Sequence, residues 1–170
     1  MKHLYLLRHA KSSWDDEDLD DFDRPLNQRG ERAALVMGQF IAQEGLKLDR
    51  ILSSGARRTE ETIALVTSRT GEIPTERCRS LYLADPATIL AEVQRLDPDV
   101  VSAMIVGHNP GLETFALALA NDPRCETSLR VAEKFPTAAL ATFTLPVANW
   151  SDVRLASGRL DRFLTPKELV

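Results

Sequence analysis

The sequence predicts a three-layer α/β sandwich, with a mostly parallel central sheet and helices on both faces. Two observations carry this. Short apolar runs alternate along the chain with longer amphipathic segments, the pattern of strands joined by crossover helices. Three of the apolar runs also end directly in polar, chemically capable residues, where open α/β sheets bind their ligands. The chain has 170 residues, 44% hydrophobic and 27% charged, enough for one full core, so residues 1–170 are expected to form a single domain.

The first apolar run, His3 to Leu7, reads as a buried strand ending at Arg8-His9. Residues 15–23 hold seven acidic side chains in nine positions and read as a loop. A helix follows from Asn27, its N-cap, with Ala33, Ala34, Met37, Phe40 and Ile41 near the helical repeat and Gly45 as its stop. Arg50 to Ser53 is a second short strand, and a helix from about Ala56 carries Thr59, Ile63, Ala64 and Val66. Thr75 to Leu83 is a third strand, interrupted by Arg77 and Arg79.

Ala87 to Leu96 is expected to be helical, with Ile89, Leu90, Val93 and Leu96 on one stripe. Val100 to Val106 is a continuous apolar run between Pro98 and Gly107, as for a strand covered on both faces. Asn109 and Pro110 suit the N-cap and first position of a helix running to Ala120. Ala138 to Leu145 and Trp150 to Ala156 are read as two final strands, antiparallel at a sheet edge.

Composition narrows the partners. There are 21 Lys and Arg against 25 Asp and Glu, a formal net charge of −4, which argues against a nucleic-acid partner. No apolar stretch approaches the ~20 residues of a membrane span. No apolar leader precedes the first strand, and Cys78 and Cys125 form no metal or redox motif, so a cytoplasmic location is expected.

The three strand ends supply Arg8-His9, Ser53-Ser54 with Arg58, and Gly107-His108-Asn109. Two arginines offer permanently charged forks for a phosphate, and a neutral histidine can attack phosphorus while the arginines offset the charge on the equatorial oxygens. A zinc site of His3, His9 and His108 is the rival reading. Six strand steps of ~3.3 Å put His3 ~20 Å from His9, too far to share a metal. Ser53 and Ser54 lack the G-x-S-x-G context of a serine nucleophile.

These residues also carry a resemblance. Leu6-Leu7-Arg8-His9-Ala10 resembles the Arg-His-Gly signature of the histidine phosphatase superfamily, with its phosphoglycerate mutase-like fold. Arg24-Pro25-Leu26-Asn27-Gln28-Arg29-Gly30 is similar to the P-L-x-x-x-G stretch of that family, and Ser54 to Thr62 to its S-x-x-x-R-A-x-Q-T segment. Val106-Gly107-His108-Asn109-Pro110-Gly111 resembles the second-histidine motif. Together the motifs span roughly the first 115 residues in order.

The resemblance implies that His9 is the nucleophile, that Arg8, Arg58 and His108 bind and stabilise the transferring phosphoryl group, and that no metal or other cofactor takes part. Asn109, Lys11 and Ser12 are expected to border the phosphate. The adjacent pair Arg57 and Arg58 leaves a register choice, which the spacing from Ser54 and Thr62 gives to Arg58. Ala10 stands where the family has Gly, with less freedom of φ. Asp85 is the candidate general acid, against a reading as N-cap of the helix at Pro86 that stands ahead of it.

Only 49 residues separate Arg58 from His108, too few for a large substrate-covering subdomain. The expected partner is therefore a phosphorylated protein, with phosphohistidine as favoured substrate, and the short chain is most similar to the small protein-phosphohistidine phosphatases. The alternative is a small-molecule phosphomonoesterase acting on a sugar or nucleotide phosphate. A phosphoglycerate mutase-type transferase or a non-catalytic phosphate-binding module ranks below both. Leaving out residues 15–23 turns the net charge to +3, so the acidity is local; it is expected to flank the pocket entrance, disfavouring small polyanions.

Overall fold

The computed structural model describes residues 1–170. Six strands form one sheet: β1 (Lys2–Arg8), β2 (Arg50–Ser53), β3 (Thr75–Arg77), β4 (Ser102–Gly107), β5 (Leu140–Leu145) and β6 (Arg159–Leu164), in the order β3-β2-β4-β1-β5-β6. The first four run parallel, while β5 and β6 close one edge antiparallel. Five helices cover it: α1 (Gln28–Gln43), α2 (Arg57–Thr70), α3 (Pro86–Gln94), α4 (Gly111–Leu119) and α5 (Glu126–Glu133).

Side-chain alternation explains the layering. In β1, Tyr5 and Leu7 join Met37 and Ile41 of α1 and Ile63 and Val66 of α2 in one core. Leu4 and Leu6 face the other way, into a larger core with Val93 of α3, Phe115 and Leu119 of α4 and Val131 of α5. The same division separates Ile51 from Leu52 and Met104 from Ile105. A strand buried on both faces needs apolar residues at every step, which is why β1 and β4 read as unbroken hydrophobic runs.

The helix starts follow local chemistry. The Asn27 side chain caps α1 by accepting the Gly30 N–H at 2.8 Å, and Asp85 caps α3 by accepting the Thr88 N–H at 2.8 Å. Gly30 is required by close approach: a Cβ there would lie 2.1 Å from the Lys11 carbonyl oxygen. At Gly111 it would lie 1.8 Å from the Ala84 carbonyl oxygen.

Three expectations are corrected, and one helix is added. The third strand ends at Arg77, and Arg79–Leu81 is a 3-10 turn, because this exposed edge buries only Leu81. Trp150 to Ala156 is not a strand: the Trp150 ring is fully buried, its Nε1 donates to Val100 O at 2.7 Å, and a 3-10 turn spans Trp150–Asp152. The last strand is β6 instead. A bulge in β6, where Asp161 is the extra residue facing Thr142/Phe143, leaves Leu160 and Phe163 three apart, which hides the period of two. Helix α4 begins at Gly111, since the Asn109 amide donates to Phe135 O at 3.0 Å rather than capping it. Helix α5 has no counterpart in the sequence reading; it starts at Cys125, an unusual cap whose sulfur accepts the Ser128 N–H.

Candidate active site

Strands β2, β4 and β1 are neighbours and parallel, so their carboxyl ends open at one edge of the sheet. Register completes the placement: Arg8 pairs with Gly107 and Ser53 with Val106. His9 and His108 therefore leave the sheet side by side, with ring centroids 5.1 Å apart. Arg58, in the first turn of α2 after β2, reaches across both. The cavity they line has a volume of about 360 Å³ and is bordered also by Lys11, Ser12, Trp14, Asp21, Arg24, Leu83, Asn109 and Thr137.

His9 is nearly buried, and its Nδ1 lies 2.7 Å from Ala10 O. A carbonyl only accepts, so Nδ1 carries the hydrogen and Nε2 keeps its lone pair. Arg58 Nε donates to that Nε2 at 3.4 Å. Burial, with the positive charges of Arg58, Arg8 and Arg24 added, lowers the His9 pKa to about 4, which keeps the ring neutral near pH 7.

His108 is arranged the other way round. Arg58 Nη2 donates to its Nδ1 at 3.3 Å, which leaves Nε2–H to donate to Ser54 Oγ at 2.7 Å. Burial, then the neighbouring His9 and Arg58, lowers its pKa to about 3. Ser54 bonds in turn to Thr59 Oγ1 at 3.0 Å, and Thr59 donates to Ala56 O at 2.7 Å. Ser54, the residue after β2, thus orients a histidine and the start of α2. Thr62 ties the two halves of the site together: its hydroxyl donates to Arg58 O at 2.7 Å and accepts the Ala10 N–H at 3.0 Å.

The register choice at the arginine pair is resolved by placement. Arg58 is 4% exposed and faces the cavity, while Arg57 lies on the surface and pairs with Glu61 at 3.0 Å. Arg8 donates from Nη1 to Phe135 O at 3.0 Å, and its buried Nε has no partner, a donor free for an anion. Ala10 is fully buried and does not adopt positive φ, so its side chain costs nothing in backbone strain. Lys11 is exposed at the rim and Ser12 buried. Asp85 does not line the cavity. Its exposed carboxylate is engaged by the N–H of Thr88, which lowers its pKa, the opposite of what a proton donor needs.

Three lining or bordering residues escaped the sequence reading. Arg24 is buried and joins the loop to the site: Nε donates to Ser13 O at 3.0 Å, Nη2 to Ser12 Oγ, and Nη1 to Asp21 Oδ1 at 2.8 Å, with Trp14 stacked 3.3 Å from its guanidinium carbon. Asp21 receives Arg58 twice, from Nη1 at its backbone oxygen (2.6 Å) and from Nη2 at Oδ2 (3.0 Å). Tyr82 donates to the same Oδ2 and stands edge-on to His108 at 5.3 Å. Partial burial pushes the Asp21 carboxyl up, but the bonds from Tyr82, Arg24 and Arg58 outweigh it and hold the pKa well below the usual carboxylate range. The Arg-Pro-Leu run pointed toward Arg24. Asp21 was hidden because seven acids within nine residues look alike.

A neutral imidazole with an open nitrogen, two guanidinium groups and a second imidazole thus line one cavity, a set of groups suited to holding a phosphoryl group. Residues 4–82 match the family described as the histidine phosphatase superfamily (branch 1). The chain belongs to that superfamily, is a phosphatase of it, and has its phosphoglycerate mutase-like fold. An uncharacterized protein of Mycobacterium tuberculosis is 33% identical over 164 residues, 95% of this chain and 100% of that protein. Among solved structures, a protein provisionally described as the phosphohistidine phosphatase SixA of Agrobacterium tumefaciens is 30% identical with TM-score 0.82, covering 97% of this chain and 98% of that one. Its counterpart from Nakamurella multipartitia is 27% identical with TM-score 0.84, covering 97% and 96%. No helix is long and apolar enough to cross a membrane.

Proposed function

We propose that the protein hydrolyses protein phosphohistidine through a covalent phospho-His9 intermediate. The observation that carries this is the state of His9: its Nδ1–H is engaged by Ala10 O, and its Nε2 lone pair faces Arg58 inside the cavity. In the first half-reaction Nε2 attacks phosphorus, and the P–N bond to the substrate imidazole breaks with its electron pair on the leaving nitrogen. Arg8, through its unpartnered Nε, and Arg58 offset the charge on the phosphoryl oxygens. His108 contacts the same group once its ring turns a hydrogen toward it. Water then attacks phospho-His9, inorganic phosphate departs, and the ring returns to the neutral Nδ1–H form.

Two features support this substrate class. Between Arg58 and His108 the chain builds only the rest of α2, the short β3, a 3-10 turn, α3 and β4, with no separate subdomain to cover a small substrate. An imidazole protonated on its other nitrogen leaves as a neutral ring and needs no acid from the enzyme, whereas a sugar or serine alkoxide does. The resemblance to proteins described as phosphohistidine phosphatases agrees with this.

Phosphoramidate labelling provides the test. The wild-type chain should retain an acid-labile, alkali-stable phosphate, and His9→Ala should retain none and lose turnover by ~10⁴-fold or more. Undiminished activity in that variant would remove His9 as nucleophile. In competition, a phosphohistidine protein should outcompete a panel of small phosphomonoesters; a preference for the esters would make the enzyme a phosphomonoesterase.

A further inference from the structure

Asp21 is the one carboxylate lining a cavity that also holds four lysine or arginine side chains. Its bonding capacity is not exhausted. A carboxylate offers about four acceptor positions, two on each oxygen. Oδ2 receives Arg58 and Tyr82, but Oδ1 receives only Arg24 Nη1, and the side chain is 44% exposed. One acceptor position on Oδ1 of this ionised carboxylate is therefore unused, in a side chain that lines the cavity.

The chemistry of the proposed substrate asks for such a group. When phosphorus passes from one imidazole to another, both rings need a hydrogen on the nitrogen that phosphorus does not touch. On the enzyme side that hydrogen is held by Ala10 O. On the substrate side the ring must enter as a protonated phosphoimidazole, and an adjacent anion raises the pKa of a cation it faces. Arg58 bridges the two positions, donating from Nε to His9 Nε2 and from Nη2 to Asp21 Oδ2, so the carboxylate stands one guanidinium away from the attacking nitrogen.

We infer that Asp21 accepts the N–H of the substrate imidazole and holds the phosphohistidine in its protonated, reactive form, which makes it a specificity-determining catalytic residue. This rests on the proposed phosphohistidine reading. The transfer balances: the substrate P–N bond breaks with its electron pair on the leaving nitrogen, the His9 Nε2–P bond forms, and the proton facing Asp21 stays on the departing neutral ring. Asp21 neither gains nor loses a proton. Asn109 Oδ1, buried and without a partner, is the other spare acceptor in the lining, but a neutral amide does not favour a cation as a carboxylate does.

The experiment compares kcat/KM across pH for phosphohistidine and for p-nitrophenyl phosphate, whose leaving group departs without a proton. For Asp21→Asn, kcat/KM for phosphohistidine is expected to fall ~10-fold above pH 7, with its alkaline limb about one unit lower, while p-nitrophenyl phosphate keeps its limb. Equal losses for both substrates with unmoved limbs would overturn the inference and reduce Asp21 to a support for Arg58. A shifted limb in Asn109→Ser but not in Asp21→Asn would overturn it in favour of the amide. Wild-type enzyme that turns over p-nitrophenyl phosphate but not phosphohistidine would instead overturn the proposed function itself.

Discussion

The two ends of β1 each carry a cation, buried at Lys2 and half-buried at Arg8, and treat it in opposite ways. At the first residue, Lys2 Nζ donates to Pro98 O at 2.7 Å and Val100 O at 2.8 Å and lies 5.8 Å from the Trp150 ring. Its charge is met by the protein. At the last residue, Arg8 has one bond to Phe135 O and an unpartnered Nε, beside Arg58 and two histidines held neutral. There the positive charge is left short of anions. Burying polar groups without partners costs stability, so a fold retains such an arrangement where a ligand completes it. One strand thus carries a cation bonded to two carbonyls and, six residues on, a cation with an unpartnered donor.

Substitutions should separate these ends. Arg58→Lys removes the planar fork that reaches His9, His108 and Asp21 together, and should lower kcat/KM by ~10²-fold with little change in urea-unfolding midpoint. A comparable loss of stability would show that the site end is also an anchor. Lys2→Met keeps the aliphatic stem but leaves Pro98 O unpaired; it should cost about 1–3 kcal/mol in urea unfolding and leave kcat/KM unchanged.

Acid should act at the site end. The native pKa values of His9 and His108 lie at about 4 and about 3, below the ~6.5 of an unfolded chain. Between these limits the unfolded state binds more protons than the native state, so stability rises with pH; it is lost as pH falls from about 6.5 toward 4. Urea titrations at pH 7, 6 and 5 should show this decline, with a shallower slope in His108→Gln, which takes up one proton fewer on unfolding. Proton NMR of His9 should show no titration until the pH drops below about 5. The smallest effect is expected at Asp85. Asp85→Asn keeps a good N-cap, so both Tm and kcat/KM should hold, and a large loss of kcat/KM would restore Asp85 as a proton donor.

The architecture was legible wherever pattern and burial coincide. Strands β1 and β4 are apolar at every step because both faces are covered, and the caps at Asn27 and Asp85 are local chemistry. It became illegible where a tertiary partner overrides the pattern. The Asn109 amide is drawn away from its cap by Phe135 O, and Trp150 is buried by contact with Val100 rather than by lying in a strand. The bulge in β6 breaks the alternation by which that strand would be found.

The sequence by itself determined that Arg8, His9, Arg58 and His108 meet in one place, because a parallel sheet brings the carboxyl ends of its strands to one edge whatever the loops between them do. Tertiary structure alone decided which of seven acids enters the cavity and which nitrogen of each histidine faces it. Those choices are set by hydrogen bonds between residues far apart in the chain: Asp21 with Arg58 and Tyr82, His108 with Ser54. No local pattern encodes bonds of that span. They exist only once the sheet has placed their partners within reach.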